Sequence, residues 1–239
     1  MTLAAVIGVI TLATLVRSTF GFGEALIAVP LLAFVIPVKV AAPVAALVSV
    51  TVAAVVVVQD WQHVRLRSAA RLIASTLFGI PLGLLLLTRV PEPIVKAVLA
   101  VVIIGFAVQA LRSPAWRRLQ DDRFAWLFGF VAGVLGGAYG MNGPPLAMYG
   151  SLRRWSPAEF RATLQGYFLP ASAVGVAGYF AAGLWTQAVT RLYLMTLPAV
   201  VVAILAGRYL NRRIASERFT PAVYGGLIVV GLLLLLTLL

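Results

Sequence analysis

Long apolar runs separated by short polar connectors follow one another along this chain. Runs and breakers together predict ten apolar segments. They lie near residues 1–20, 23–36, 40–60, 68–88, 92–111, 122–139, 142–152, 157–183, 188–207 and 218–238. A helix needs about 20 mostly apolar residues to cross a bilayer, and most of these segments approach or exceed that length. The pattern therefore predicts an all-α, multi-pass membrane protein.

Two of the segments, 23–36 and 142–152, are too short to cross about 30 Å of hydrocarbon as straight helices. Each begins at a glycine-rich break, Gly21-Phe22-Gly23 in the first case and Gly136-Gly137-Ala138-Tyr139-Gly140-Met141-Asn142-Gly143-Pro144-Pro145 in the second. We expect each short segment to be the returning arm of a broken or re-entrant hairpin. The alternative is that the glycines only allow close helix packing, for which glycine is common in membrane helices.

The two breaks recur at a fixed spacing. A shift of 119 residues lays Phe20-Gly21 over Tyr139-Gly140 and Leu26-Ile27-Ala28-Val29 over Pro145-Leu146-Ala147-Met148. Each half then consists of a broken hairpin followed by three long helices. Because five passes separate equivalent points, the second half would enter the membrane from the opposite face. The sequence thus predicts two inverted repeats, residues 1–118 and 119–239, within one integral membrane domain.

Composition and charge agree with a membrane protein and predict its orientation. The chain is 62% hydrophobic and 11% charged, and its net charge of +12 does not indicate nucleic acid because most arginines lie in short connectors. Fourteen of the nineteen basic residues lie near 61–71, 112–123, 151–161 and 208–218. The positive-inside rule places these connectors in the cytoplasm, beside anionic lipid headgroups. We therefore expect a protein of the bacterial inner membrane with both termini outside.

Arg17 and Glu24 flank the first break and are the charges that lie inside an apolar run. Intramembrane charge costs several kcal/mol unless it is paired or hydrated, so both residues are candidates for function. In one interpretation they form a structural ion pair that pins the hairpin. In the other, Arg17 attracts an anionic group and Glu24 carries a coupling proton.

The short arms that follow the breaks offer a second means of holding an anion. A helix that begins after Gly21-Phe22-Gly23 or after Asn142-Gly143 leaves its first backbone N–H groups unpaired and directs its positive dipole end into the break. Pro144 suits such a first turn because its missing N–H is not needed there. Two such ends facing one cavity could hold an oxyanion without a metal. Alternatively, Ser18, Thr19 or Asn142 caps these ends.

Gln165 lies on the long segment after the second break, where an amide can donate to an anion at less cost than a charge. The predicted substrate-binding residues are therefore Arg17, Gly21, Gly23, Glu24, Gly140, Asn142, Gly143, Pro144 and Gln165. We expect no cofactor and no metal, since the chain has no cysteine, no cluster of metal ligands and no Walker-type nucleotide loop.

The stretches Gly21-Phe22-Gly23-Glu24-Ala25-Leu26-Ile27-Ala28-Val29-Pro30-Leu31-Leu32 and Gly140-Met141-Asn142-Gly143-Pro144-Pro145-Leu146-Ala147 resemble the paired glycine-rich motifs of the TauE/SafE sulfite exporter family. The resemblance extends over essentially the whole chain in length, duplication and hydropathy. It implies transport of sulfur-containing anions such as sulfite or organosulfonates. At Glu24 the chain departs from many relatives, which have glycine there.

These features together favour a secondary transporter that exports a small sulfur-containing anion by alternating access. An intramembrane enzyme acting on a lipid is an alternative, although such chemistry normally needs several clustered acids, a histidine, or a serine with a base. An anion channel is another, and it differs from a carrier in kinetics rather than in composition. The expected partners are the anion and membrane lipids, and the sequence leaves a homodimer open.

Overall fold

A computed structural model describes residues 2–60, 64–112, 119, 121–211, 228–229, 231–233 and 235–236 of the chain. Over these residues the chain is helical, with short connectors and no strand. The helices are α1 (Thr2–Phe20), α2 (Glu24–Leu32), α3 (Val38–Asp60), α4 (Leu66–Arg89), α5 (Glu92–Arg112), α6 (Ala125–Tyr139), α7 (Gly143–Leu152), α8 (Pro157–Ala181) and α9 (Gln187–Asn211). A 3₁₀ turn, Asp122–Phe124, precedes α6.

The prediction of an all-α membrane protein is confirmed. Helices α3, α4, α5 and α9 are each long and apolar enough to cross a membrane, and α1 is apolar over a shorter stretch. The two short arms are also found, since α2 has nine residues and α7 has ten. The predicted tenth segment, 218–238, lies largely outside the described residues, as do five of the connector arginines, Arg117, Arg118, Arg212, Arg213 and Arg218.

Helix bounds recur along the chain at one interval. Helix α2 begins at residue 24 and α7 at residue 143, whereas α3 begins at residue 38 and α8 at residue 157. The helices that precede the short arms end at Phe20 and Tyr139. Each of these differences is 119 residues, which equals the offset found in the sequence. The interval therefore holds for the starts of α2 and α7, for the starts of α3 and α8, and for the ends of α1 and α6.

Close packing of α4 against α6 depends on glycines in both helices. Gly79 and Gly83 of α4 face Gly133 and Gly137 of α6, and a Cβ atom added at Gly133 would lie 2.4 Å from the carbonyl oxygen of Thr76. Small residues spaced four apart let two helix backbones approach in this way. The packing interpretation of glycine is therefore correct for this pair of helices. It does not account for the glycines of the two breaks, whose backbone conformation differs.

Several helices surround the first break. Helix α1 packs along α9, and α3 packs against both α2 and α8. The α6–α7 break reaches the same region, because Gly140 lies beside Ala42 of α3. Residues far apart in sequence therefore meet between the two breaks, in the interior of the protein.

Candidate functional site

Both breaks contain glycine in the left-handed region of backbone conformation. Gly23, which immediately precedes α2, has φ of 99°, and Gly140, which ends α6, has φ of 66°. A residue with a side chain is strained in this backbone conformation, whereas glycine adopts it readily because it has no Cβ atom. At Gly140 a Cβ atom would also lie 3.0 Å from the carbonyl oxygen of Ala42. The helix direction changes at these glycines, so that α2 and α7 begin inside the protein.

Arg17 is the centre of a buried polar network. Its side chain is 3% exposed, and its Nη1 atom lies 2.5 Å from Oε2 of Glu24 and 2.6 Å from Oγ of Ser49. The Nη2 atom donates to Oε1 of Gln165 over 3.1 Å. The guanidinium carbon also lies 4.9 Å from the ring centre of Phe168. Residues of α2, α3 and α8 thus hold one guanidinium group, and the predicted ion pair between Arg17 and Glu24 is confirmed.

The Nε donor of this guanidinium group is unused. The Nε atom of Arg17 is buried and has no hydrogen-bond partner among the described residues. A buried donor without a partner costs about 1–3 kcal/mol. The guanidinium group therefore retains the capacity to bind a further acceptor atom.

Glu24 is as deeply buried as its partner. Its side chain is 2% exposed, and Oε1 accepts a 3.2 Å hydrogen bond from Thr14 while Oε2 faces Arg17. A buried ion pair loses much hydration, and its attraction offsets this loss only with good geometry and additional hydrogen bonds. Thr14 and Ser49 supply such bonds on the two sides of the pair.

Gln165 joins the second half of the chain to the first break. Its Nε2 atom donates to the carbonyl oxygen of Gly21 over 2.6 Å, while its oxygen accepts from Arg17. We expected this amide to donate to an anion. In the structure Gln165 instead positions Arg17 and the break, and neither Gln165 nor Gly21 lines the cavity described next.

A small cavity lies between the two breaks. Its volume of about 20 Å³ is roughly that of one water molecule. Other residues of the two breaks, with Ser49 and Phe168, form part of its lining. The other seven predicted site residues also line it, and they are Arg17, Gly23, Glu24, Gly140, Asn142, Gly143 and Pro144. A space that holds about one water molecule is too small for an anion such as sulfite, so the residues that line it would have to move apart for the anion to bind.

The N-termini of α2 and α7 both face this cavity. Gly23, Glu24, Ala25 and Leu26 line it from α2, and Asn142, Gly143 and Pro144 line it from α7. The N-cap residues Gly23 and Asn142 make no side-chain hydrogen bond to the first turns of the helices that follow them. Free N–H groups and the positive end of the helix dipole favour an anion at such a position.

Sequence reasoning did not include Ser49, Thr14 or Phe168 among the site residues. Ser49 binds Arg17 and also lies 3.3 Å from Oγ of Ser172 on α8. The repeat offset could have drawn attention to two of these residues, because Ser49 and Phe168 are 119 positions apart and both contact Arg17. A signal for Thr14 exists only in three dimensions.

A second small cavity adjoins the first. It measures about 10 Å³ and shares Gly140 and Asn142 with the first cavity. Ser172, Ala46, Gly136 and Gly175 line it further on. Because these lining residues are small, the interior space continues from the ion pair along α3, α6 and α8.

This architecture defines a helical, multi-pass membrane protein with a closed, charged site between two helix breaks. The family model described as Sulfite exporter TauE/SafE matches residues 6–234. The chain belongs to the TauE/SafE sulfite exporter family, as the resemblance of its glycine-rich motifs predicted. A "Probable sulfite/organosulfonate exporter TauE" of Cupriavidus necator is 27% identical over 222 residues, which are 91% of this chain and 86% of the relative. No solved structure matches the chain.

Proposed function

We propose that this protein is a secondary transporter that moves a small sulfur-containing anion, such as sulfite or an organosulfonate, across the bacterial inner membrane. Family membership and the name of the Cupriavidus relative support this substrate class. The observation that carries the proposal is the unused Nε donor of Arg17, buried beside a cavity where two helix N-termini meet. All of these groups favour an oxyanion.

Alternating access follows from the duplicated plan. The helix bounds repeat at an interval of 119 residues, and each half begins with a helix, a glycine break and a short arm. In the proposed arrangement residues 1–118 and 119–239 form inverted repeats in one membrane domain, with both termini outside. Inverted repeats place two related broken elements around a midplane site, which can then open to either side by similar motions.

Glu24 controls the charge that the anion meets. While Glu24 is ionised, the pair that it forms with Arg17 is neutral overall, and an anion must compete with the carboxylate for the guanidinium group. When Glu24 takes up a proton, the positive charge of Arg17 becomes available to the anion. Proton binding and anion binding therefore support each other at this site, and Glu24 is the proton-coupling residue of the proposal.

Export is the direction that the membrane potential favours. An interior-negative cell drives one negative charge outward with about 2.3 kcal/mol per 100 mV. An anion that carries more negative charge than the proton bound with it, such as the sulfite dianion, therefore moves net negative charge outward, and the membrane potential drives this step. The second half supplies no charged side chain to the cavity and can offer the backbone N–H of Gly143, since Pro144 and Pro145 have none, so the charge in the site comes from the first half alone.

Purified protein in liposomes tests the proposal directly. Sulfite and ethanesulfonate flux should saturate with concentration and should be stimulated by anion on the opposite side, whereas a channel would show neither property. Arg17→Gln should reduce flux at least about tenfold, which corresponds to losing about 1.4 kcal/mol of binding. Arg191→Gln serves as control, since Arg191 lies on α9 outside the cavity walls.

The single variant leaves Glu24 buried without its partner and could fail to fold for that reason. The double variant Arg17→Gln/Glu24→Gln keeps the site neutral and therefore separates folding from transport. Wild-type flux retained in a folded double variant contradicts the proposed site. Absence of sulfite and sulfonate flux in the wild type contradicts the proposed function.

A further inference from the structure

A third space, much larger than the two buried cavities, opens at the protein surface. It measures about 690 Å³ and lies where the N-terminal ends of α4 and α8 meet the C-terminal end of α7. Its charged lining residues are Arg65, Arg67, Asp122, Arg153, Arg154 and Glu159. All its lining residues fall in the three connectors 61–71, 112–123 and 151–161, which the positive-inside rule places in the cytoplasm.

Two of the four arginines of this pocket are paired. Arg65 bonds Glu159, and Nη2 of Arg153 lies 3.1 Å from Oδ1 of Asp122. Arg67 and Arg154 are exposed, and their side chains have no ion pair or hydrogen bond among the described residues. With four arginines and two acids, the pocket has a net charge of about two positive units at neutral pH.

The backbone at Arg154 is unusual for a charged residue. Its φ of 52° lies in the left-handed region, where it is the one described residue other than glycine. Glycine would adopt this conformation more easily, and residues held there against preference concentrate at functional sites. The position therefore carries an arginine at some cost in conformational energy.

An aromatic contact links a wall of the buried cavity to a helix end at this pocket. The rings of Phe22 and Phe160 pack edge to face with their centres 5.9 Å apart. Phe22 lines the buried cavity, and Phe160 follows Glu159, which lines the pocket. Phe160 and the lining residue Trp155 also lie against the same side of Gly150.

Building on the proposed function, we propose that the arginine-lined pocket is a second anion-binding site, in which a small oxyanion from the cytoplasm is collected before it passes the Phe22 and Phe160 rings to Arg17. A cleft lined with one sign of charge concentrates counter-ions and accelerates their arrival. Such a site lowers the substrate concentration needed for half-maximal transport without changing the maximal rate, which depends on later steps.

Sulfite transport into inside-out vesicles measures this contribution from the cytoplasmic side. The variant Arg67→Gln/Arg154→Gln should raise KM for sulfite several-fold, leave the maximal rate unchanged, and weaken the dependence of KM on ionic strength. Arg208→Gln is the matched control, because Arg208 is exposed near the end of α9, belongs to a connector predicted on the same face, and does not line the pocket. Equal KM values in the double variant and the control would overturn the proposal.

Binding of sulfite to purified protein in detergent gives a readout that does not require transport. In calorimetry, Arg17→Gln/Glu24→Gln should retain one sulfite site, and adding Arg67→Gln/Arg154→Gln should abolish it. A protein that binds sulfite at the pocket but shows no flux would refute the proposed transport function while upholding the pocket. Loss of all sulfite binding in Arg17→Gln/Glu24→Gln would refute the pocket alone.

Anionic lipid headgroups offer a related oxyanion, and vesicle composition distinguishes the two sources. The KM effect of Arg67→Gln/Arg154→Gln should be the same in phosphatidylcholine vesicles with and without phosphatidylglycerol. An effect that requires phosphatidylglycerol would assign the pocket to lipid and overturn its role in anion entry.

Discussion

Nε2 of Gln165 donates a 2.6 Å hydrogen bond to the carbonyl oxygen of Gly21, across 144 positions of sequence. The same amide accepts from Nη2 of Arg17 through its oxygen. One side chain of α8 thus satisfies a backbone group freed by the helix break and also orients the guanidinium group. If α8 moved relative to α1, both hydrogen bonds would break, or Arg17 and the Gly21 carbonyl would have to move with Gln165. The relative position of α8 and α1 is therefore coupled to the geometry of the site.

Substitution of Gln165 therefore affects stability and transport through different atoms. Gln165→Leu leaves both the Gly21 carbonyl and Nη2 of Arg17 without a partner, and we expect a loss of about 1–3 kcal/mol for each buried group. Gln165→Glu keeps an acceptor for Arg17 but adds a second negative charge beside the cavity. We expect Gln165→Glu to reduce sulfite flux by more than its loss of stability, measured as melting temperature, accounts for.

Melting temperature in detergent and sulfite flux in liposomes, measured on the same preparations, separate the two effects. Gln109→Leu on α5 is a suitable control, because it replaces the same amide on a helix that does not line the cavity. If Gln165→Glu and Gln165→Leu reduced flux strictly in proportion to stability, Gln165 would have a structural role only.

Much of the fold could be predicted because its signals are local. Apolar runs gave the helices, and the glycines next to Arg17 and near Asn142 marked the two breaks. The ion pair was also predictable, since an unpaired charge in an apolar segment is costly and Glu24 is the acid nearest to Arg17 in sequence. Duplication at a fixed offset extended these inferences from the first half to the second.

The contacts of the site across the bundle were not predictable in the same way. In sequence, Ser49 is a serine within an apolar helix, where the hydroxyl group usually hydrogen-bonds to the backbone of its own helix. Only the packing of α3 beside α1 brings its hydroxyl group to Arg17. The donor and acceptor roles of Gln165 depend on where the Gly21 carbonyl points, which is set by a left-handed glycine conformation. Such information resides in the tertiary arrangement rather than in residue type and spacing.

Glu24→Gln should remove the dependence of transport on pH. In the proposed mechanism the carboxylate competes with the anion for Arg17 until it takes up a proton, so wild-type KM for sulfite should fall as pH is lowered. The amide of glutamine cannot compete as a charge, and KM in the variant should stay low over the whole range. Because sulfite itself titrates over this range, the comparison is repeated with ethanesulfonate, which stays a monoanion and should show the same trend in KM.

Glu92→Gln is the control for that experiment, since Glu92 pairs with Lys96 on α5 and lines neither the buried cavity nor the arginine-lined pocket. A pH profile of Glu24→Gln that follows the wild type would exclude Glu24 as the coupling residue.

Close approach of α4 and α6 predicts a sharp contrast among glycine substitutions. Gly133→Ala would place a methyl group 2.4 Å from the Thr76 carbonyl oxygen, against backbone that cannot move independently. We expect a loss of about 1–3 kcal/mol, as for overpacked cores. Gly105→Ala on α5 has no neighbour within 4 Å and should be neutral or slightly stabilising, because alanine favours helix over glycine by about 1 kcal/mol.

Thermal unfolding in one detergent compares the two alanine variants directly. Similar melting temperatures for Gly133→Ala and Gly105→Ala would mean that the helices separate without cost. The glycines would then not determine the α4 and α6 contact.

Asp122 connects the ends of three helices at the arginine-lined pocket and should give stability its pH dependence in the acid range. Its Oδ1 atom accepts from Ser68 of α4 and Tyr149 of α7 and faces Arg153. Partial burial alone would raise the pKa of this carboxyl group, but the hydrogen bonds from Tyr149 and Ser68 and the charge of Arg153 together hold it below its ordinary value.

A carboxyl group whose pKa is lower in the folded state stabilises the protein above its unfolded pKa of about 3.9, and this contribution is lost as pH falls through the folded value. Asp122→Asn should therefore cost about 2 kcal/mol at pH 7, as expected for hydrogen bonds to a charged group. The difference from wild type should shrink below about pH 4, where the wild-type carboxyl group also becomes neutral. Asp121→Asn should change stability little at either pH, because Asp121 pairs with Arg123 at the exposed surface. A stability difference for Asp122→Asn that is constant from pH 7 to pH 3 would show that shape, rather than charge, makes Asp122 important.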